Sequence, residues 1–419
     1  MLIYNKIFIN QNLVRNMKRF YFIISSLSYF IVVNFVFAGL QFGADSLLKN
    51  IDLLRDKSYA ICINKSSRLA DGQLLIDALI AANNPPVYIF TPEHGFDLEK
   101  GAGQKVDDGN YGNVPILSLY GKTKIPPDSV MEQIDLLIYD LPDIGVRYFT
   151  YISTLKYLVD ACHRHKIPLW ILDRPNPLGD IVEGPLLDLS FKSFVGIWPI
   201  PIRYGLTSGE LVMMGIGEGW LPDIKVQIIP FKGISRKSDF TSWDIAWRAP
   251  SPNLPDYETL KAYVGQCLWE GSIISEGRGT VKPFIRFGFP DSTIWDAGLE
   301  TDSLLLRKIV FTPLSISAAP YPKFKNEKCY GYEIVGSIPS IGMLNISIEW
   351  MSRIFKVMEL EPEVFFIRPV KKIFIDQLYG SDSLRTYISS GSSTLKLEVK
   401  YQKEAADFKR RSANYWLYP

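Results

Sequence analysis

The chain has 419 residues, 47% apolar and 21% charged, which excludes extensive disorder and suits two domains rather than one compact core. Its net charge of +2 comes from residues 1–38, which hold Lys6, Arg15, Lys18 and Arg19 and no acid. In the remainder acids slightly outnumber bases, so no basic face is left for nucleic acid.

The first element predicted is a targeting segment. Arg15, Lys18 and Arg19 precede an apolar stretch from Phe20 to Ala38, and Val36-Phe37-Ala38 offers residues that a signal peptidase reads. An exported protein starting near Gly39, in the periplasm or outside the cell, is expected, with Met17 an alternative start. A retained membrane anchor is the other reading of these nineteen residues, against which Ser25, Ser26, Ser28 and Asn34 argue. The four cysteines, Cys62, Cys162, Cys267 and Cys329, form no CxxC. Buried thiols are the default for Cys62 and Cys162, though an exported chain could pair two of the four.

From about residue 58 to 230, strand and helix patterns alternate. Tyr59–Asn64, Val87–Phe90, Leu136–Tyr139, Leu169–Leu172 and Ile224–Ile229 read as short apolar strands. Leu74–Ala82 and the stripe Ile152, Leu155, Leu158, Val159, Cys162 read as helices, and Thr207-Ser-Gly-Glu210 as a capping box opening another. The pattern predicts an α/β fold, a Rossmann-like parallel sheet covered on both faces, over residues 39–250. The proline-rich run Ala249–Pro255 marks a boundary, and 251–419 reads as a smaller α+β domain with alternating strands such as Leu395–Tyr401.

Three polar clusters directly follow three of the strands: Thr91-Pro-Glu-His-Gly95, Asp140-Leu-Pro-Asp-Ile-Gly-Val-Arg147 and Asp173-Arg-Pro-Asn-Pro177. Ligands bind at the carboxyl ends of parallel strands, so these loops are expected to line one cleft. Glu93, Asp140, Asp143, Asp173 and Glu183 make that edge rich in carboxylates, and glycoside hydrolysis typically needs two, one of them protonated. For Asp140 and Asp173 the plainer reading is capping of a loop or helix. Glu93, between Pro92 and His94 in a loop ending at Gly95, is the first choice for general acid, with apolar Phe90 and Phe96 to raise its pKa. Arg147, Tyr148 and Tyr151 suit sugar stacking or carboxylate recognition. Ser118-Leu-Tyr120-Gly121 adds a hydroxyl lining or is a plain turn. Ser275-Glu276-Gly-Arg278-Gly-Thr280 is Gly-rich and could hold an anion, but is a weak match to a phosphate loop. His163 and His165 do not face each other, so a metal site is not expected there.

The motifs TPEHGF at 91–96, SLYG at 118–121, DLPDIGVRYFTYIST at 140–154, DRPNPLG at 173–179, VEGP at 182–185, PIRYGLTSGEL at 201–211 and SEGRGT at 275–280 occur in the order of one family. The chain resembles the exo-β-N-acetylmuramidases of the NamZ type from about residue 45 to its end. The resemblance implies a Rossmann-like domain and a smaller C-terminal one, with the active cleft at their interface. It implies release of N-acetylmuramic acid from the non-reducing end of peptidoglycan fragments, without a cofactor. It makes Glu93 and Glu183 the catalytic candidates. His94, Ser118, Tyr120, Asp143, Arg147, Tyr148, Tyr151, Asp173, Arg174, Asn176, Tyr204, Glu276 and Arg278 are the candidates for substrate binding, with Arg147 or Arg174 facing the lactyl carboxylate. Pro142, Tyr204, Ile285 and the run Asp97–Gly103 depart from the family pattern, which keeps open a cell-wall sugar-binding protein without catalysis. An esterase or deacetylase is a third reading.

Overall fold

The computed structural model describes residues 39–121, 123–301, 305–368 and 372–419. The expected leader, residues 1–38, lies outside the described residues. Leu40–Pro419 form one compact unit.

Twelve strands are described in chain order: β1 (Tyr59–Cys62), β2 (Tyr88–Thr91), β3 (Gly109–Tyr111), β4 (Val114–Ser118), β5 (Leu136–Tyr139), β6 (Leu169–Leu172), β7 (Val182–Glu183), β8 (Arg203–Tyr204), β9 (Val226–Ile229), β10 (Arg286–Phe289), β11 (Leu306–Phe311) and β12 (Cys329–Ile334). Seven form the main sheet in the order β3-β4-β2-β1-β5-β6-β9. All neighbours are parallel except the edge strand β3, which runs antiparallel to β4. Without β3 the order is that of a doubly wound dinucleotide fold, so the expected all-parallel sheet gains one antiparallel edge.

The apolar runs become strands because both faces are buried. Ala60, Cys62, Leu137, Tyr139, Leu169 and Ile171 face one core, with the helix Tyr151–His165. Tyr59, Ile61, Leu136, Ile138, Trp170 and Leu172 face the other, with the helices Gly43–Lys49 and Leu75–Ala81. The two sets alternate along each strand, as a pleated strand requires. The capping box forms: Thr207 Oγ1 accepts from Glu210 N at 3.1 Å, and Glu210 Oε2 accepts from Thr207 N at 3.1 Å, opening the helix Ser208–Gly217.

The first core continues without a break past residue 250, through Leu260, Trp269 and Phe287 to Phe408. There an antiparallel sheet, β10-β12-β11, packs on the helix Met343–Met358 through Phe287 and Trp350, and that helix packs on the helix Tyr257–Gln266. The expected strand Leu395–Tyr401 is instead part of the helix Thr394–Ser412. Its buried residues Leu397, Tyr401, Ala405 and Phe408 follow a spacing of three and four, and Leu395 and Val399 are exposed. All four cysteines are buried and free.

Candidate active site

A cavity of about 890 Å³ lies over the carboxyl edge of the sheet. Glu93 and His94 enter it from the loop after β2, Tyr120 and Lys124 from the segment after β4, and Tyr148, Phe149 and Thr150 from the segment after β5. Ser251, Asn253 and Leu254 form another wall, and Tyr263, Glu270 and Arg278 a third. Glu93 and Glu270 are the carboxylates among the described lining residues.

Glu93 is fixed at both oxygens. Its Oε1 accepts from Gly103 N at 2.8 Å and its Oε2 from Thr150 Oγ1 at 2.6 Å. The Tyr120 hydroxyl also bonds to this carboxylate. Thr150 stands at the N-cap of the helix Tyr151–His165 without capping it, so its hydroxyl is free for Glu93. His94 follows in the left-handed region at φ 74°, next to Gly95 at φ 76°. A non-glycine residue holds that conformation only where its surroundings enforce it. Here His94 Nδ1 bonds to Lys100 O at 2.8 Å. A carbonyl only accepts, so Nδ1 carries the proton. Burial lowers the His94 pKa despite the charge of Glu93, which leaves a neutral ring with Nε2 as an acceptor.

Arg278 lies between Gly277 at φ 77° and Gly279 at φ 80°, where a Cβ on Gly277 would meet Arg286 O at 2.5 Å. Its guanidinium pairs with Glu270 at 2.7 Å and Glu276 at 3.6 Å and stands 4.9 Å from the centre of the Phe284 ring. Burial would lower the Arg278 pKa, but the two carboxylates raise it. Glu276 lies beneath this pair, 3.1 Å from Lys323; burial opposes its ionisation, yet Lys323 and Arg278 hold its pKa below the usual range. The glycines of this motif therefore position a cation between carboxylates and do not wrap an anion. Tyr148 offers the cavity its ring, because its hydroxyl donates to Val264 O, near the end of the helix Tyr257–Gln266.

Of the expected site residues, Glu93, His94, Tyr120, Tyr148 and Arg278 line the cavity. The others are placed elsewhere, each for a physical reason. Glu183 is not in the cavity. It accepts from Gly342 N at 3.0 Å, ahead of the helix Met343–Met358, and faces Arg203 at 4.0 Å. Burial raises its pKa against the opposing effects of Arg203 and these backbone groups. A carboxylate so placed is stabilised by the helix dipole. Arg147 is fully buried, and its guanidinium donates to Pro185 O, Ile200 O, Leu378 O and Tyr379 O at 2.7–3.0 Å. Arg174 pairs with Asp140 at 2.6 Å and donates to Arg68 O at 2.8 Å. Neither arginine faces the cavity, so the expected contact of Arg147 or Arg174 with the lactyl carboxylate is not made there.

Asp173 caps a helix: it accepts from Gly209 N at 3.0 Å, and from Thr207 Oγ1 and Tyr418 Oη, each at 2.6 Å. Asp143 accepts from the Tyr204 hydroxyl and from Gly145 N at 2.9 Å. Asn176 donates to Leu206 O at 3.1 Å, and Tyr151 to Pro250 O at 2.6 Å. Ser118 Oγ donates to Tyr120 O at 2.9 Å, closing the turn. The loops after β5 and β6 do share the edge with the loop after β2. Much of their polar surface is engaged with each other, and Asp143 and Arg174 line a separate pocket of about 60 Å³.

The sheet order has its switch point between β1 and β5. The turn there, Asn64-Lys-Ser-Ser67, has no glycine, and Ser66 Oγ donates to Asn64 Oδ1 at 2.5 Å, so it does not build the glycine cradle of a dinucleotide site. Among the described residues no group of three His, Cys, Asp or Glu side chains is placed to hold a metal ion.

A Rossmann-ordered sheet carrying a polar and aromatic cavity, walled on its far side by helices and loops of the C-terminal part, defines the class. The model described as exo-β-N-acetylmuramidase NamZ, N-terminal, matches residues 59–258, and its C-terminal counterpart matches 261–418. The chain belongs to the NamZ exo-β-N-acetylmuramidase family. It is 32% identical over 388 residues to the peptidoglycan β-N-acetylmuramidase NamZ of Bacillus subtilis strain 168, covering 90% of this chain and 91% of that protein. Two crystal structures of DUF1343 family proteins from Bacteroides fragilis NCTC 9343 are similar in fold. One has a TM-score of 0.73 at 33% identity and the other 0.78 at 27%, each match covering 91% of this chain and 99% of the other.

Proposed function

We propose that this protein is a glycosidase that hydrolyses β-linked N-acetylmuramic acid from the non-reducing end of peptidoglycan fragments. The observation that carries the reading is Glu93, a carboxylate held at both oxygens on the wall of a sugar-sized cavity in a member of this family. Gly103 N–H can only donate, so a proton on Glu93 belongs on Oε2, where the Thr150 hydroxyl can turn to accept it. From there it passes to the leaving glycosidic oxygen as the C1–O bond breaks, and C1 finally takes the OH of a water whose other proton returns to the carboxylate pair. Glu270, the other lining carboxylate, takes the place expected for Glu183 as second member of the pair, with its charge balanced by Arg278. The departures at Pro142, Tyr204 and Ile285 lie outside the cavity lining, whereas the run Asp97–Gly103 reaches it at Ala102 and Gly103, and the Gly103 N–H holds Glu93. A cleaved leader over residues 1–38 belongs to the same proposal, since it would deliver the enzyme to the cell wall. The mass of the mature N-terminus checks it.

The test is hydrolysis of a chromogenic β-N-acetylmuramide and of the matching N-acetylglucosaminide. Turnover of the muramide with a clear preference over the glucosaminide is expected. No turnover of either, or equal turnover of both, rejects the assignment.

A further inference from the structure

Among the described residues, three basic side chains line the cavity: Lys124, Arg278 and Lys372. Arg278 is compensated by Glu270 and Glu276. Lys372 is exposed, with Nζ 3.4 Å from Ser190 O. Lys124 differs from both. It is half-buried, its ammonium lies 3.8 Å from the centre of the Phe194 ring and 5.7 Å from that of Tyr120, and it makes no ion pair among the described residues. Burial lowers its pKa, and the nearby charge of Glu93 opposes that effect. Aromatic faces attract such a cation but replace only part of its lost hydration, so an anion entering the cavity completes the site.

N-acetylmuramic acid differs from N-acetylglucosamine by one lactyl ether, which adds a carboxylate and a methyl group. The carboxylate needs a cation not already held in an ion pair, and the methyl needs an apolar surface. Lys124 and the edge of the Phe194 ring beneath it present the two. Phe194 is itself held by stacking on Tyr157, with centroids 6.3 Å apart, and by a tilted contact with Tyr120 at 5.6 Å. We propose that Lys124, set over Phe194, binds the lactyl carboxylate and is the residue that selects muramic acid over glucosamine. The assignment rests on the muramidase reading and replaces the two arginines expected for that contact.

The experiment compares wild type, Lys124→Met and Lys124→Arg by the ratio of kcat/KM on the β-N-acetylmuramide to that on the glucosaminide. Loss of one charge-assisted contact is expected to reduce the ratio by about 10- to 100-fold in Lys124→Met, with most of it kept in Lys124→Arg. The methyl ester of the lactyl group should cost the wild type a similar factor and cost Lys124→Met little more, the signature of one shared contact. A Lys124→Met ratio equal to wild type overturns the assignment. Calorimetric titration with N-acetylmuramic acid separates this idea from the hydrolytic one. Binding at least about tenfold weaker in Lys124→Met, with no turnover by the wild type, keeps the carboxylate site and removes the hydrolase. Equal affinity in both proteins, or no binding to the wild type, removes the site.

Discussion

Thr150 Oγ1 donates a 2.6 Å hydrogen bond to Glu93 Oε2, tying the loop after β2 to the start of the helix that follows β5. Two parallel strands on either side of β1 thereby hold one carboxylate. Thr150 is a positioning residue. Thr150→Val keeps its shape and removes the hydroxyl that holds Glu93 Oε2 whether or not that oxygen carries the proton, so kcat should fall about tenfold or more while KM changes little, since a buried polar group left without its partner costs about 1–3 kcal/mol. Thr150→Ser should restore most of the rate. A KM effect with unchanged kcat would show that Thr150 serves binding instead.

Glu183 gives the opposite expectation. It accepts from Gly342 N and sits near Arg203, away from the cavity lining. Glu183→Ala should lower unfolding free energy by about 1–3 kcal/mol, since it leaves the buried Arg203 guanidinium without its counter-charge and the Gly342 N–H without an acceptor. Glu183→Gln, which keeps an acceptor, should stay within a few-fold of wild-type kcat. Loss of two orders of magnitude in Glu183→Gln with an unchanged melting temperature would return Glu183 to the chemistry.

Asp143 makes stability depend on pH. It is partly buried, its shielded Oδ1 has no hydrogen-bond partner among the described residues, and burial pushes its pKa up to about 6 despite the bonds from Tyr204 and Gly145. The unfolded value lies near about 4. The folded state therefore holds the proton more tightly, and its contribution to stability is complete below about pH 4 and is lost as pH rises through 6. The loss is on the order of 2–3 kcal/mol, because each tenfold difference in proton affinity between the folded and unfolded chain is worth about 1.4 kcal/mol. Asp143→Asn, which mimics the protonated form, should flatten that part of the curve in denaturant unfolding between about pH 4.5 and 8. An identical pH dependence in wild type and Asp143→Asn would show that Asp143 does not titrate in this range. Asp173, also raised to about 6, contributes in the same direction and stays in both proteins.

The sheet is legible in the sequence because a strand buried on both faces leaves a short continuous apolar run, and Leu136–Tyr139 and Leu169–Leu172 occupy the spans that their composition predicts. The rule that ligands gather at strand ends leads to Glu93 and His94, whose loop is held by local geometry. The same rule overreaches at Arg147, Arg174 and Asp173. A polar group after a strand serves equally well to bond carbonyls, pair with a neighbour or cap a helix, and tertiary packing decides which. Thr150, Lys124 and Glu270 carry no local signal, because chain folding alone brings them beside Glu93. The proline-rich segment reads as a boundary between domains, yet Tyr151 anchors it through Pro250 O, and Ser251 and Asn253 become a wall of the cavity. In the helix Thr394–Ser412, the residues Leu395, Leu397, Val399 and Tyr401 mimic a strand although only half of them are buried.

The most direct measurement of the central claim is the turnover of Glu93→Gln on two substrates, a natural muramic-acid disaccharide and a muramide with an activated leaving group. The variant keeps the shape of the side chain and removes its acid. A fall in kcat of at least about 10² is predicted on the disaccharide. A smaller fall is predicted on the activated substrate, which needs less protonation, with the melting temperature unchanged. Near-wild-type turnover of the disaccharide by Glu93→Gln would contradict the acid assignment and move the chemistry away from Glu93.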